Sequence, residues 1–140
     1  MTTDKSVDTE KWIHKGLIIK EPWISMILAG EKTMEMRKTR VHIRGRIALL
    51  NKGFIRGFAT LYRCDGPLSY QELISRGNEH RIPDEKIGTI DYPYKYGWML
   101  TDEENLLSPI KYDHPHGAQI WVNFATVSYT HLTLPTILRV

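Results

Sequence analysis

Between residues 14 and 124 the apolar positions fall into short runs separated by turn residues. The first run, Gly16-Leu17-Ile18-Ile19, predicts a strand over residues 14–20. Trp23, Ile24, Met26, Ile27 and Leu28 then recur at helical spacing. Pro22 suits the first position of that helix, and Gly30 suits its end, because glycine accepts the left-handed conformation of a C-terminal cap. From Thr33 the pattern changes to alternation. On an extended strand Thr33, Glu35 and Arg37 share one side, and Met34 and Met36 the other. The methionines are expected to face the core, Glu35 and Arg37 to project together into solvent or a cleft, and Lys32 to sit at the mouth of the turn.

Residues 44–51 predict a strand whose buried run is Ile47, Ala48, Leu49 and Leu50. Asn51-Lys52-Gly53 is a hairpin signal. Residues 54–64 predict the returning strand, with Gly57 marking a bulge or a close backbone approach. Ser69 and Glu72 have the spacing of a capping box, which opens a helix over residues 69–76 that Gly77 closes. Residues 80–93 are polar and poorly periodic. Tyr92, Tyr94, Tyr96 and Trp98 alternate, but Pro93 places the start of the strand after it. Residues 96–101 form that strand, 102–105 a turn, 106–112 an extended segment interrupted by Pro109, and 118–124 the last strand. Many short strands with two small helices predict an α+β, mainly β fold: a small mixed β-barrel with short helices at its edges.

Residues 1–12 are polar without periodicity and are expected to be a flexible arm; the domain spans residues 13–125. Residues 126–140, TVSYTHLTLPTILRV, do not continue the pattern and resemble translated sequencing-adapter read-through.

At 140 residues the chain is one domain with room for a core. No apolar run approaches the roughly 20 residues of a membrane helix, and the N-terminus lacks the apolar stretch of a signal peptide. Cytoplasmic location, no membrane association and a monomer are the expectations. A single cysteine, Cys64, excludes an internal disulfide. The net charge of +3 conceals an asymmetry: residues 32–63 hold nine Lys or Arg against one acid, and residues 65–113 ten acids against five bases. Such a basic half either forms one polyanion-binding face or is spread over several strand faces. His114 and His116 flank Pro115 with no further His or Cys nearby, too few ligands for zinc, so no metal and no cofactor are expected.

The stretch GEKTMEMR, residues 30–37, resembles the GxKxxExR signature of ASCH domains, a branch of the PUA-like fold. RGRIAL (44–49), HRIP (80–83), YGWML (96–100) and HGAQIWV (116–122) are similar to later pieces of the family in the same order. The resemblance covers roughly residues 14–124. It implies a PUA-like pseudo-barrel and an association with RNA, and it adds His80 and Arg81 to the residues expected near the signature turn.

Lys32 and Arg37 can donate to phosphate, and Glu35 can accept from a base N–H or an exocyclic amine. Trp23, Tyr96 and Trp98 are candidates for a stacking wall; core packing is the alternative for Trp23 and Trp98. The expected partner is RNA, another single-stranded nucleic acid or a modified nucleoside, bound beside the signature turn. The alternative is a small hydrolase acting on N4-acylcytidine or RNA, with Lys32 and Glu35 as its catalytic candidates. The resemblance implies, for the amidohydrolase subgroup, a nucleophilic threonine at the position that Glu35 holds here; the nearest threonine, Thr33, lies two residues earlier.

Overall fold

The computed structural model describes residues 13–88 and 91–124. The expected N-terminal arm and the tail 126–140 lie outside the described residues. Six strands form one curled sheet: β1 (Lys15–Ile18), β2 (Met34–Arg37), β3 (Gly45–Asn51), β4 (Phe54–Asp65), β5 (Tyr96–Lys111) and β6 (Trp121–Asn123). Their order is β2-β5-β4-β3-β1-β6, with β1 parallel to β3 and every other pair antiparallel. Short helices α1 (Trp23–Leu28), α2 (Tyr70–Ser75), α3 (Gly77–His80) and α4 (Asp84–Ile87) complete the described fold. This is the expected mainly β barrel-like architecture.

Three apolar clusters hold it together. Leu17, Ile27, Leu49, Leu61 and Trp98 belong to the cluster that α1 packs into. Leu50, Ile55, Phe58, Ile110 and Val122 form a second, built from the alternate residues of β3 and β4. Met34, Met36 and Met99 meet Leu73, Ile82 and Ile87 from the α2–α4 segment in a third. The methionines of β2 therefore turn toward the helices, as the alternation predicts.

Local chemistry explains most of the junctions. Lys52 and Gly53 both have positive φ (51° and 83°), the requirement of a two-residue hairpin turn whose twist matches its strands. The β3–β4 register shifts between Leu49, opposite Gly57, and Leu50, opposite Ile55, so Arg56 is the extra residue of a bulge. A side chain at Gly57 would meet the Glu104 carbonyl oxygen and a Leu28 methyl group, so both readings of that glycine hold. Ser69 and Glu72 form the reciprocal capping box.

Four expectations need correction. Residues 102–105 are not a turn: β5 runs through them, with Asp102 at φ 53° and a register shift against β4. Arg46 makes this polar run compatible with the sheet, donating to the Asp102 carbonyl (2.6 Å) and to the Glu104 carboxylate (3.1 Å). Gly77 does not stop the helical segment but opens α3, because Arg76 binds Glu79 one turn ahead and fastens that turn. Residues 84–87, in the aperiodic stretch, form α4, whose Ile87 is buried. The last strand is only Trp121–Asn123, shorter than the expected 118–124.

Candidate nucleotide-binding cleft

Gly30 leaves α1 with φ 81°, and the N–H groups of Glu31 and Lys32 both donate to the Met26 carbonyl (2.9 and 3.1 Å). This fold-back turns Lys32 inward. Its side chain is 1% exposed although its backbone lies in the turn between α1 and β2. The ammonium donates to the His80 carbonyl (2.5 Å), lies 3.7 Å from Glu35 Oε1 and sits 4.8 Å from the centre of the Trp23 ring. Burial pulls its pKa from 10.5 down to about 8, although the neighbouring Glu35 opposes the drop.

Two residues along β2, Arg37 donates Nε–H to the second oxygen of Glu35 (3.0 Å). It also donates to the Ile18 carbonyl (2.9 Å) and lies over the Trp98 ring at 5.4 Å. Glu35 is thus held between two cations and is itself only 6% exposed. Both faces of β2 are covered, one by the methionine cluster and one by this charged row. The half-buried strand suggested by alternation is in fact nearly fully buried.

The row opens into a cleft of about 370 Å³ at the seam where the sheet does not close. On one side are Glu35, Met36 and Arg37 of edge strand β2; on the other are Ile18 and Lys20, from β1 and the residues after it. β6 pairs with Lys15 to Leu17 of β1, and the Ile120 carbonyl just before it accepts from the Ile18 N–H (2.9 Å). Arg37 stitches across the seam through its bond to Ile18. Trp23, Tyr92 and Tyr94 supply the aromatic lining, and Gln119 a side-chain amide.

Of the residues expected at the site, Lys32, Glu35, Arg37 and Trp23 line one cleft. The other four stand away from its lining. His80 is fully buried; its Nδ1 accepts from the Ile82 N–H (2.9 Å), so its protonated Nε2 donates to the Leu73 carbonyl (2.6 Å). Burial holds its pKa below the usual histidine value. Its contribution to the site is the backbone carbonyl under Lys32. Arg81, at φ 65°, donates to the Glu31 carbonyl (2.8 Å) and braces the signature turn from outside. Trp98 is a core residue, stacked on Trp121 (centroids 5.8 Å apart), with its Nε1–H on the Thr39 carbonyl. Tyr96 lies opposite Arg37 in the β2–β5 ladder, with Arg40 over its ring.

Tyr92 and Tyr94 take the lining positions expected of Tyr96 and Trp98. The aromatic alternation contained them, but Pro93 breaks the strand before Tyr96, and only the fold shows that the pre-strand loop curls over the cleft. Burial, with the nearby Tyr94 and Glu35, pushes the Tyr92 phenol pKa up. Gln119 and Lys20 carry no local signal. Among the described residues no three His, Cys, Asp or Glu side chains are grouped to hold a metal ion, and no helix is long and apolar enough to cross a membrane. His114 is engaged by the Tyr112 hydroxyl and the Ala118 carbonyl. Within the basic half, Arg46, Arg56 and Arg63 are paired with Glu104, Glu21 and Asp65.

The family model described as ASCH domain matches residues 17–116, most of the described fold and all of the signature turn. The chain belongs to the ASCH domain family. Solved structures with the same fold include the ASCH protein of Zymomonas mobilis, with TM-score 0.68, 16% identity, and coverage of 85% of this chain and 94% of that one. A serine-to-alanine variant of that ASCH protein superposes at TM-score 0.66 with 19% identity, covering 86% and 94%. A tyrosine-to-phenylalanine variant gives 0.67 with 18% identity, covering 86% and 96%. No curated protein matches the chain. At these identities the likeness carries the ASCH fold, and the chemistry rests on this chain's own residues.

Proposed function

We propose that this ASCH domain binds one nucleotide unit of RNA or another single-stranded nucleic acid, or a modified nucleoside, in the cleft beside the signature turn. The supporting observation is the buried Lys32–Glu35–Arg37 row opening into an aromatic-lined cleft. The volume of about 370 Å³ lies in the range of small-molecule sites. Lys20, Lys32 and Arg37 outnumber Glu35, so the lining favours an anionic ligand. Trp23, Tyr92 and Tyr94 offer rings to a base, and Glu35 and Gln119 offer hydrogen-bonding groups to its edge.

Fluorescence anisotropy with short single-stranded RNA, single-stranded DNA and duplex, across a salt series, tests this reading. Expected are preference for a single strand, weakening that is linear in log salt, and loss of binding in Lys32→Ala and Glu35→Ala. Absence of binding to every probe at low salt, followed by absence of binding to free modified nucleosides, sinks it.

One observation favours a second reading, a small hydrolase acting on modified cytidine or RNA. A buried amine with its pKa near 8, beside a carboxylate, suits general acid–base work. Against the acyl-enzyme form of that reading, no serine, threonine or cysteine is among the described residues of the lining, and Thr33 is exposed and not one of them. Sustained turnover of N4-acetylcytidine that disappears in Lys32→Ala is the result that would favour the hydrolase over the binding module.

A further inference from the structure

We propose that the cleft continues into a cation–aromatic track, formed by Lys38 with Tyr94 and Arg40 with Tyr96, that carries the nucleotides flanking the one in the cleft. The inference rests on the reading of the cleft as a nucleotide site and extends it to a polymer.

The track begins where β2 ends. Lys38, Thr39 and Arg40 follow Arg37 directly, and all three are exposed. The Lys38 ammonium lies 5.4 Å from the centre of the Tyr94 ring, and Tyr94 is itself part of the cleft lining. The Arg40 guanidinium lies 5.2 Å from the centre of Tyr96, which sits across the ladder from Arg37. The first pair borders the cleft through Tyr94, and the second lies beside Arg37 at the same end of β2.

Among the described residues, no carboxylate neutralises the charge at this exit. Of the nine cations in residues 32–63, Lys32, Arg37, Arg46, Arg56 and Arg63 each contact a carboxylate. Lys38 and Arg40 contact none among the described residues. A ring attracts a cation through its quadrupole and leaves the charge un-neutralised, so a phosphate can still engage it. The segment is also held in place before any ligand arrives. The Thr39 carbonyl accepts from Trp98 Nε1 (2.9 Å), and Arg40 donates to the Gly66 carbonyl (2.9 Å). Fixed cations and rings side by side are what single-strand sites use, cations for the backbone and rings for base stacking.

The test compares each of the four ribonucleoside 5′-monophosphates with a mixed-sequence single-stranded RNA octamer. Binding is measured on wild type, a Lys38→Ala/Arg40→Ala double variant, and Lys52→Ala, a cation in the β3–β4 hairpin turn outside the track. The octamer is expected to bind wild type more tightly than any monophosphate. The double variant should bind the octamer about tenfold more weakly, with a log–log salt slope shallower by about 1.4, while keeping its monophosphate affinity. Lys52→Ala should match wild type. Unchanged octamer affinity and slope in the double variant, or an equal loss in Lys52→Ala, overturns the track and leaves the cleft reading standing. If the monophosphates fail to bind while the octamer loss persists, Lys38 and Arg40 bind the strand but the track as a continuation of a nucleotide-filled cleft is overturned. If no probe binds wild type, the track falls, and the cleft reading is left to the modified nucleosides.

Discussion

The ammonium of Lys32 stands 3.7 Å from Oε1 of Glu35, with both side chains buried and Arg37 closing on the other carboxylate oxygen. Three charges in a nearly dry setting are expensive to keep, since burial penalises each charged form before pairing compensates it. Retaining them at the floor of a cleft is more readily explained by ligand chemistry than by stability.

That cost has a pH signature. Lys32 has its pKa lowered from 10.5 to about 8 in the folded state. Below pH 8 both states hold the proton and this group adds no slope. Between 8 and 10.5 the unfolded chain binds a proton that the folded chain has released, so stability rises with pH. Tyr92 and Tyr112, whose pKa values are raised, act in the opposite direction once tyrosines begin to ionise near pH 10. Denaturant titrations between pH 8 and 9.5 should therefore show a gain of about 1.5 kcal/mol that Lys32→Met removes.

Glu35 supports the charge on Lys32. Glu35→Gln removes the attraction that opposes desolvation and leaves Lys32 facing only the positive Arg37, so the Lys32 pKa should fall further below about 8. NMR titration of the lysine side chain reads this directly. An unchanged titration would mean that the pair does not interact as its 3.7 Å geometry implies.

Arg76 is the clasp between β4 and α3, holding Asp65 at 2.9 Å and Glu79 at 2.8 Å. Burial pushes the Asp65 carboxyl up, but hydrogen bonds from Arg63 and Arg76 outweigh it and hold the pKa below 3.8; the bond from Arg76 holds Glu79 below 4.5. Depressed carboxylates stabilise the fold above their unfolded pKa values and lose that contribution as pH falls through the folded ones. Arg76→Ala should cost about 1–2 kcal/mol near neutrality, discounted for partial exposure, and should flatten the loss of stability below pH 4.5. Thermal melts at pH 7 and pH 3 check both parts.

Gly57 leaves no room for a methyl group between the Glu104 carbonyl and Leu28. Because two backbones and α1 meet there, the neighbours cannot all yield. Gly57→Ala should cost about 1–3 kcal/mol in chemical denaturation, the usual penalty of overpacking. A change within about 0.5 kcal/mol would show that the bulge relaxes freely.

Features set by neighbouring residues were legible in the amino-acid order. The Ser69–Glu72 capping box, the Lys52–Gly53 hairpin, the Gly57 bulge and the two-sided pattern of β2 each follow from the φ/ψ range or hydrogen bond that a few adjacent residues prefer. Gly30 and the alternation after it located the turn in the same way, whereas Lys32, Glu35 and Arg37 were singled out as a site through the resemblance to the ASCH signature. Tertiary structure alone decided the burial of Lys32, the inward place of His80 and the recruitment of Tyr92, Tyr94 and Gln119 to the cleft. It also made residues 102–105 part of a strand, because Arg46, distant in sequence, satisfies their polar groups. Backbone preference is a local quantity, whereas burial and electrostatic environment depend on which distant segments close over a residue, and no short stretch of chain encodes that by itself.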